Sequence, residues 1–397
     1  MRSNWKFERL GDLIELKYGF GLPERKRVFG EVPVYGSSGI IGYHNESAVK
    51  GPSIIVGRKG NVGAVTFSKN DFWPIDTTYY IEENRDRYDL RFLFFLLKTL
   101  NLNSLDTAAA VPGLSRESFY NIEDKLPPLP IQRKIASILS AYDDLIETNE
   151  RRIKILEEMA RLIYKEWFVK FRFPGYKKIK MIKSELGKIP EGWEVKQIKK
   201  ILNIRSGYAF KSEFFIDAGV NRIVRIGDVK GDFSIDTDSL QAINLNLSED
   251  EQVKFGLKKG DILLTLTGNV GRLGVAPETK FKLFCNQRVA ILDFLDKNYH
   301  YYIWFLFKSH AFNEQIIKLA GGVAQANLSP VLLEQQLIII PSEDIVSVFN
   351  GHIAPIFEQM LTLVSQNNIL RQARDMLLPK LISGEIDVSD LDIKVSQ

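Results

Sequence analysis

The chain has 397 residues, 45% of them hydrophobic, with 53 Lys and Arg against 49 Asp and Glu, four histidines and one cysteine. That is enough for two or more ordinary domains; lone Cys285 excludes an internal disulfide and fits a reducing cytoplasm, and His44, His300, His310 and His352 are too scattered for a structural zinc site. The N-terminal MRSNWKFERLGDL has no apolar signal core and no run of about 18 apolar residues occurs, so a cytoplasmic protein without a membrane segment is expected; a net charge of +4 permits a nucleic-acid partner without demanding one.

In chain order, WKFERLGDLIELKYGF from Trp5 opens a mixed region of short β-branched and aromatic runs separated by glycine turns. The apolar run Ile54-Ile55-Val56 leads into GRKGNVGAV, whose glycine spacing resembles a phosphate loop. A nucleotide loop needs a helix behind it, whose free N–H groups face the phosphate. Ala-Val-Thr-Phe follows instead, so the motif reads as a glycine turn in a β-hairpin or barrel. YDLRFLFFLLK from Tyr88 carries the stripe Phe92, Phe95, Leu96 of an amphipathic helix. From Ile135 the core-phase positions run Leu139, Tyr142, Ile146, Asn149, Ile153, Leu156, Ala160, Ile163 and Trp167, a mean spacing of (167 − 139)/8, about 3.5, which is that of a coiled coil. Asn149, polar in that seam, is expected to set its register. The Lys-, Gly- and Pro-rich FPGYKKIKMIKSELGKIPEGW marks a domain boundary.

Beyond it the same elements return. GNVG at Gly60 recurs at Gly268, an offset of 208; WKFERLGDL recurs as WEVKQIKKI at 188, pairing Gly19 with Gly207; YDLRFLF recurs as YHYYIWF near 210; Leu114-Ser115 and Pro127 recur as Leu328-Ser329 and Pro341 at 214. Constant order and growing offset mean one unit of about 190 residues written twice, with about 20 residues inserted between Gly207 and Gly268. Shifted by 214, the seam becomes Ile353, Ile356, Met360, Leu363, Asn367, Leu370, Arg374, Leu377 and Leu381, with Arg374 off pattern. A second helix starting where the first finished must run back along it. The expected fold is therefore α+β, with two mixed α/β domains at opposite ends of an antiparallel two-helix coiled coil and a pseudo-two-fold internal repeat. Two related readers held apart by a ruler suit a two-part target on a helical polymer, and duplex DNA presents groove-facing sites every 10 to 10.5 base pairs or so, about 34 to 36 Å.

The succession LPPLPIQRKIASILSAYDDLIETNERRI, WFVKFRFPG, SELGKIPEGWEV and LLPKLISGEI closely resembles the specificity subunit of Type I restriction-modification systems along nearly the whole chain. The resemblance implies a target recognition domain at 1–130, a central spacer helix at 131–172, a linker at 173–189, a second target recognition domain at 190–343, a C-terminal spacer helix at 344–383 and a tail at 384–397. Each recognition domain would read one half of a bipartite target on double-stranded DNA. The helices would bind two methyltransferase subunits, to which restriction subunits can be added. Two departures stand out: Ile131 occupies a place before Gln132 where the family usually has an acidic residue, and the second junction, PSEDIVSVFN, has neither the Pro-Pro nor the Gln.

Intrinsic catalysis is not expected. Pro127-Pro128 lacks the Asn or Asp of a base-holding loop, no glycine-rich methionine-cofactor loop follows a strand, and Asp76 with Glu82-Glu83 has no lysine to complete a metal nuclease. No catalytic residue, cofactor or metal is assigned. The retained alternative is a stand-alone regulator binding a bipartite site without enzyme partners.

Candidate contacts follow from residue type. Arg25, Lys26 and Arg27 suit phosphates, or form a solvated charge run. Arg58 and Lys59 precede the glycine turn, where Arg can bond guanine through two contacts; Thr265 and Thr267 stand in the matching region of the second copy, and Asn61 and Asn269 lie inside the two turns. Asn286, Gln287 and Arg288 suit adenine and guanine and match Asp76-Thr77-Thr78, which adds Thr77 and Thr78; on a strand at most two of three can face DNA. Tyr18, Tyr43 and Tyr208 flank a groove or pack a hairpin. Gln325 and Asn327 read bases or cap the next turn. Lys17, Lys211 and Arg225 complete the set.

Overall fold

Every residue of the strand Ser53–Gly57 is buried, as expected of a β-branched run covered on both faces. It lies third in an antiparallel sheet ordered Lys17–Tyr18, Thr78–Glu82, Ser53–Gly57, Val65–Ser68. The helix Leu90–Thr99 begins where the Asp89 carboxylate accepts the Phe92 N–H, an N-cap bond worth about 1 kcal/mol. Its apolar side chains join Ile54, Val56 and Ile81 of the sheet in one core. A second sheet runs Gly39–His44, Val32–Gly36, Trp73–Pro74, with the last pair parallel. The strand Lys6–Arg9 pairs with Glu123–Leu126. These elements belong to the first of two compact units, Met1–Leu145 with Leu370–Gln397; the second is Ile146–Ile369. The structure, a computed structural model, describes residues 5–105, 113–237, 240–244, 247–321 and 326–393.

The second unit repeats this wiring with one strand added. Its first sheet is ordered Leu202–Ser206, Val289–Phe294, Ile262–Thr265, Leu273–Val275. Its other large sheet is Phe215–Ile216, Gln241–Ile243, Asn221–Val224, Lys282–Cys285, again with the last pair parallel. Glu194–Gln197 pairs with Leu337–Ile340, as Lys6–Arg9 pairs with Glu123–Leu126. Gln241–Ile243 takes the place of Gly39–His44, and the longer stretch between Gly207 and Gly268 adds the strand Phe215–Ile216 and the helix Glu249–Phe255, which opens on a capping box of Ser248 and Glu251. The mixed helix-and-strand unit expected twice is present twice.

Both long helices, Leu129–Tyr164 and Glu343–Ile382, contribute to each unit. Within the second unit, Asn149 meets Asn367, while the Trp167 ring lies 5.8 Å from both Phe349 and His352; residue numbers rise on one helix as they fall on the other, so the pair is antiparallel. Within the first unit, Asp143 pairs with Arg374 and Lys134 donates to the Ser389 carbonyl, again antiparallel. The off-pattern Arg374 is thus accommodated by a carboxylate facing it from the other helix. Asn149 and Asn367 are each only 2% exposed. The Asn149 Nδ2 donates to Asn367 Oδ1 at 2.9 Å and the Asn367 Nδ2 to the Ile146 carbonyl at 3.3 Å, so the polar seam position is satisfied only in this alignment.

The two helix junctions use different side chains for one task. Gln132 is buried; its Nε2 donates to the Pro127 carbonyl at 2.9 Å and its Oε1 accepts the Asp89 N–H at 3.0 Å. At the second junction, which lacks the glutamine, the Tyr299 hydroxyl donates to the Pro341 carbonyl at 3.1 Å. The departure in sequence is therefore compensated in the fold.

Candidate nucleic-acid interface

Both GNVG motifs are tight turns whose two glycines sit in left-handed backbone: φ is 78° and 75° at Gly60 and Gly63, 68° and 84° at Gly268 and Gly271, a region other residues enter at a cost of about 1 to 2 kcal/mol. The hydrogen bonds are copied as well. Gly57 N–H donates to Ala64 O and Gly63 N–H to Gly57 O; Thr265 N–H donates to Arg272 O and Gly271 N–H to Thr265 O. Thr265 is therefore the counterpart of Gly57 and not of the Arg58-Lys59 pair. It is fully buried, its hydroxyl donating to Asn269 O at 2.5 Å and accepting the Arg272 N–H at 2.9 Å. This removes Thr265 from the candidate contacts, because its oxygen already closes the turn. A Cβ on Gly57 would stand 2.1 Å from the Asn61 carbonyl oxygen, so the first copy closes the same loop by direct backbone approach.

In the first unit the strand edges gather a cationic and aromatic cluster. Arg58 and Lys59 N–H both donate to Thr77 O, and the Arg58 guanidinium donates to Asp76 O at 2.8 and 3.1 Å. The same guanidinium lies 5.2 Å from the centre of the half-exposed Tyr18 ring, whose partner Tyr79 is 5.0 Å away. Burial, with the neighbouring Tyr18 phenol adding to it, pushes the Tyr79 hydroxyl up to about 12, so it stays a neutral donor, bonded to Leu114 O. Arg116, which residue patterns did not single out, stacks 4.0 Å over Tyr18 and 5.4 Å from Tyr79. Its only sequence mark is its place just after the Ser115 cap of the helix Arg116–Tyr120. Lys59 and Asn61 are exposed, and the Asn61 N–H reaches Ser37 Oγ at the tip of the neighbouring hairpin. Thr77 is half-buried. Thr78 is fully buried with its hydroxyl donating to Ile75 O at 2.8 Å, so it too leaves the contact set.

In the second unit one loop cluster joins Tyr208, Thr267, Asn286, Gln287, Arg288 and Asn327. Tyr208 N–H donates to Cys285 O, Gln287 N–H to Tyr208 O and Leu266 N–H to Arg288 O, and Thr267 bridges Asn327. Gln287, Arg288, Asn269 and Asn327 are exposed; Asn286, Tyr208 and Thr267 are half-buried. Asn286 spends its Oδ1 on the Arg288 N–H at 3.2 Å, and the Tyr208 ring packs on Phe210 and Phe255 at 5.0 and 5.2 Å. Asn327 does not cap the next helix; Ser329 does, accepting the Leu332 N–H. Gln325 lies outside the described residues.

The register between the copies differs from the expected match. Gly19 N–H donates to Thr78 O and Gly207 N–H to Val289 O; Arg58 N–H donates to Thr77 O and Leu266 N–H to Arg288 O. Asn286-Gln287-Arg288 therefore corresponds to Ile75-Asp76-Thr77, one residue before Asp76-Thr77-Thr78. Gln287 and Arg288 occupy the places of Asp76 and Thr77, Leu266 and Thr267 those of Arg58 and Lys59. A common backbone presents four different side chains at those four positions.

Of the remaining candidates, Tyr43 lies on the hairpin whose tip residue Ser37 meets the GNVG turn, Lys17 adjoins Tyr18, and Arg225 adjoins Val224, whose carbonyl accepts the Asn286 N–H. Arg25 and Lys26 are exposed on the turn Glu24–Lys26, Arg27 donates to Ile41 O at 3.1 Å, and Tyr43 is 55% exposed on the strand Gly39–His44. Lys17 donates to Glu82 at 2.5 Å, which raises its pKa and holds its charge in an ion pair. Lys211 lies 3.7 Å from Glu213. The Arg225 N–H bonds Asp228, itself only 3% exposed. Among the described residues no group of three His, Cys, Asp or Glu is placed to hold a metal, and no helix is long and apolar enough to cross a membrane. Cys285 is buried, which pushes its thiol pKa up and disfavours the thiolate.

The family model described as Type I restriction modification DNA specificity domain matches residues 2–158 and 190–372. The chain is 30% identical over 367 residues to the Type I restriction enzyme MjaIX specificity subunit of Methanocaldococcus jannaschii, covering 87% of this chain and 82% of that one. It is 24% identical over 400 residues to the Type I restriction enzyme HindI specificity subunit of Haemophilus influenzae, covering 83% and 85%. The crystal structure of a Type I restriction-modification S subunit from M. genitalium is similar in fold, with a TM-score of 0.57 at 15% identity over 95% of this chain and 96% of that one. The two matched segments fall on the two copies of the repeat, and the chain belongs to the Type I restriction-modification DNA specificity family.

Proposed function

We propose that this protein is a non-catalytic specificity subunit that recognises a bipartite site on duplex DNA, residues 1–130 reading one half and 190–343 the other. The observation that carries this is the pairing of a matching turn and hydrogen-bond scaffold with different side chains: Lys59, Asp76 and Thr77 in one unit, Thr267, Gln287 and Arg288 in the other, with Arg58 of the first matched by the buried Leu266 of the second. A shared backbone with exchanged polar edges is what two readers of different sequences need, since bases are discriminated by side-chain donors and acceptors while the backbone positions them. In the first reader Arg58 suits guanine; in the second Gln287 and Arg288 suit adenine and guanine.

The helices at 131–172 and 344–383 act as spacer and as the seat of two methyltransferase subunits, with restriction subunits joining that complex. Supporting this, large apolar side chains stand exposed along them: Ile155 at 61%, Met159 at 50%, Ile369 at 67% and Met376 at 66%. Exposed apolar surface on a helix already packed along its seam marks a protein partner. The stand-alone regulator leaves those side chains without a role. The test is purification of the chain from its source cell with identification of co-purifying subunits, then methylation assays with labelled S-adenosylmethionine. Methyl transfer by the isolated chain would contradict the non-catalytic assignment, and absence of a methyltransferase from the purified complex would favour the regulator.

A further inference from the structure

Phe29 is 98% exposed, the most exposed large apolar side chain among the described residues. It is held there by its neighbours on both sides. The Val28 N–H donates to the His44 Nδ1 at 3.0 Å, and His44 is itself buried, 5.4 Å from Trp73 ring to ring. Gly30 lies so close to the next strand that a Cβ there would meet the His44 carbonyl oxygen at 2.3 Å and Asn45 Cα at 2.4 Å. The turn is thus clamped at residues 28 and 30, and the phenyl ring between them points to solvent from a fixed base. A polar side chain would be expected at such a place if the turn only connected two elements.

The segment that carries Phe29 has an excess of cations. Between residues 24 and 59 there are six cations, Arg25, Lys26, Arg27, Lys50, Arg58 and Lys59, against three carboxylates, Glu24, Glu31 and Glu46. Arg25 and Lys26 are exposed immediately before Phe29. The clamp lies at the open end of the hairpin, where Val32 pairs with His44, and the opposite end reaches the candidate interface, its tip residue Ser37 accepting the Asn61 N–H of the GNVG turn. A rigid apolar wedge flanked by phosphate-binding cations is the device by which proteins unstack and kink a duplex, the cations holding the backbone on either side of the opened step.

We propose that Phe29 inserts between two stacked base pairs of the half-site read by the first unit and kinks the DNA there, so that part of the recognition at that half is by deformability. The proposal rests on the DNA-recognition reading above. It makes the first half-site favour a flexible pyrimidine-purine step at a position no polar side chain touches.

The experiment uses the full-length chain with the subunits that co-purify with it, and the target mapped by sequencing methylated DNA. Duplexes carrying 2-aminopurine at successive positions of the first half-site, away from the methylated base, report unstacking by fluorescence, and end-labelled duplexes report bending. Wild type is expected to brighten the probe at one step and to bend the duplex. Phe29→Ala should lose both signals, bind about tenfold more weakly and keep its thermal midpoint, while Phe29→Leu keeps the signals. Specific binding by wild type without unstacking or bending in that half overturns the wedge and leaves the DNA reading standing. Phe29→Ala that keeps both signals but sheds a co-purifying subunit also overturns it, assigning the ring to a protein contact. Failure of wild type to bind any duplex overturns the DNA reading and the wedge together.

Discussion

The Asn149–Asn367 pair gives the sharpest energetic test of the helix pairing. In Asn149→Leu the Asn367 Oδ1 loses the donor now at 2.9 Å, and at 2% exposure water does not replace it. An acceptor stranded in that way costs about 1 to 3 kcal/mol, which the added apolar contact offsets only in part. The second unit comprises 369 − 146 + 1 = 224 residues, a size at which 1 kcal/mol moves the midpoint by about 2 to 4 °C, so the expected loss is about 3 to 8 °C. Asn367→Leu strands the Asn149 carboxamide and should cost a similar amount. The double variant buries no unpaired polar group and should return to within about 1 kcal/mol of the parent or exceed it. Its cost is specificity, because an all-apolar seam no longer penalises a shifted alignment. Thermal unfolding of the four proteins followed by circular dichroism completes the cycle. A double variant as unstable as either single one would refute the reasoning, since the loss would then come from packing and not from an unpaired polar group.

Other expectations follow from the same geometry. Arg58→Ala should cost about 1 to 3 kcal/mol of binding and relax preference at one base position if the fork reads a base, and weaken all sequences equally if it holds phosphate; binding to a panel of single-substitution duplexes separates the two. Gly271→Ala forces a Cβ into a residue at φ 84° and to 2.9 Å from Asn313 Nδ2, costing about 1 to 3 kcal/mol, whereas Gly268→Asn, at φ 68° with a Cβ meeting only Ile226 Cδ1 at an ordinary 3.6 Å, should cost less than 1 kcal/mol or so; denaturant midpoints compare them. Tyr299→Phe should destabilise the second unit by about 1 to 2 kcal/mol by removing the donor to Pro341 O, and Gln132→Leu the first unit by more, because Pro127 O and Asp89 N both lose a partner. Burial lowers the His300 pKa, so the folded state favours the neutral ring. Its contribution is complete above the ordinary value of about 6.5 and falls as the pH drops below it, and His300→Phe should flatten the decline of unfolding midpoint below about pH 6.5.

The repeat was readable because left-handed backbone favours glycine over nearly every other residue, and GNVG carries two such glycines in each copy. The long helices were readable because a seam imposes a period near 3.5 over many residues, and Asn149 stood out by being polar inside it. The interface was less legible for definite reasons. Thr78 and Thr265 look like exposed hydroxyls in a line of polar residues, yet strand alternation and the turn's own carbonyls turn them inward. Matching Asn286 to Asp76 slipped by one residue because insertions alter chain offset while sheet hydrogen bonds alone fix register. Arg116 was invisible because its partners Tyr18 and Tyr79 come from strands far away in sequence. The second junction looked defective for want of a glutamine because the residue that replaces it, Tyr299, sits on a different element.

The central claim is that the two units read separate halves of one target, and exchange of one reader tests it most directly. Residues 1–130 are replaced by the corresponding segment of a family member with a different target, the hybrid is expressed with its methyltransferase partner, and methylated bases are mapped by sequencing the host DNA. The account predicts a new sequence in one half of the site, with the other half unchanged. A hybrid that methylates an altered sequence in both halves, or one that keeps the original site in both, would contradict it.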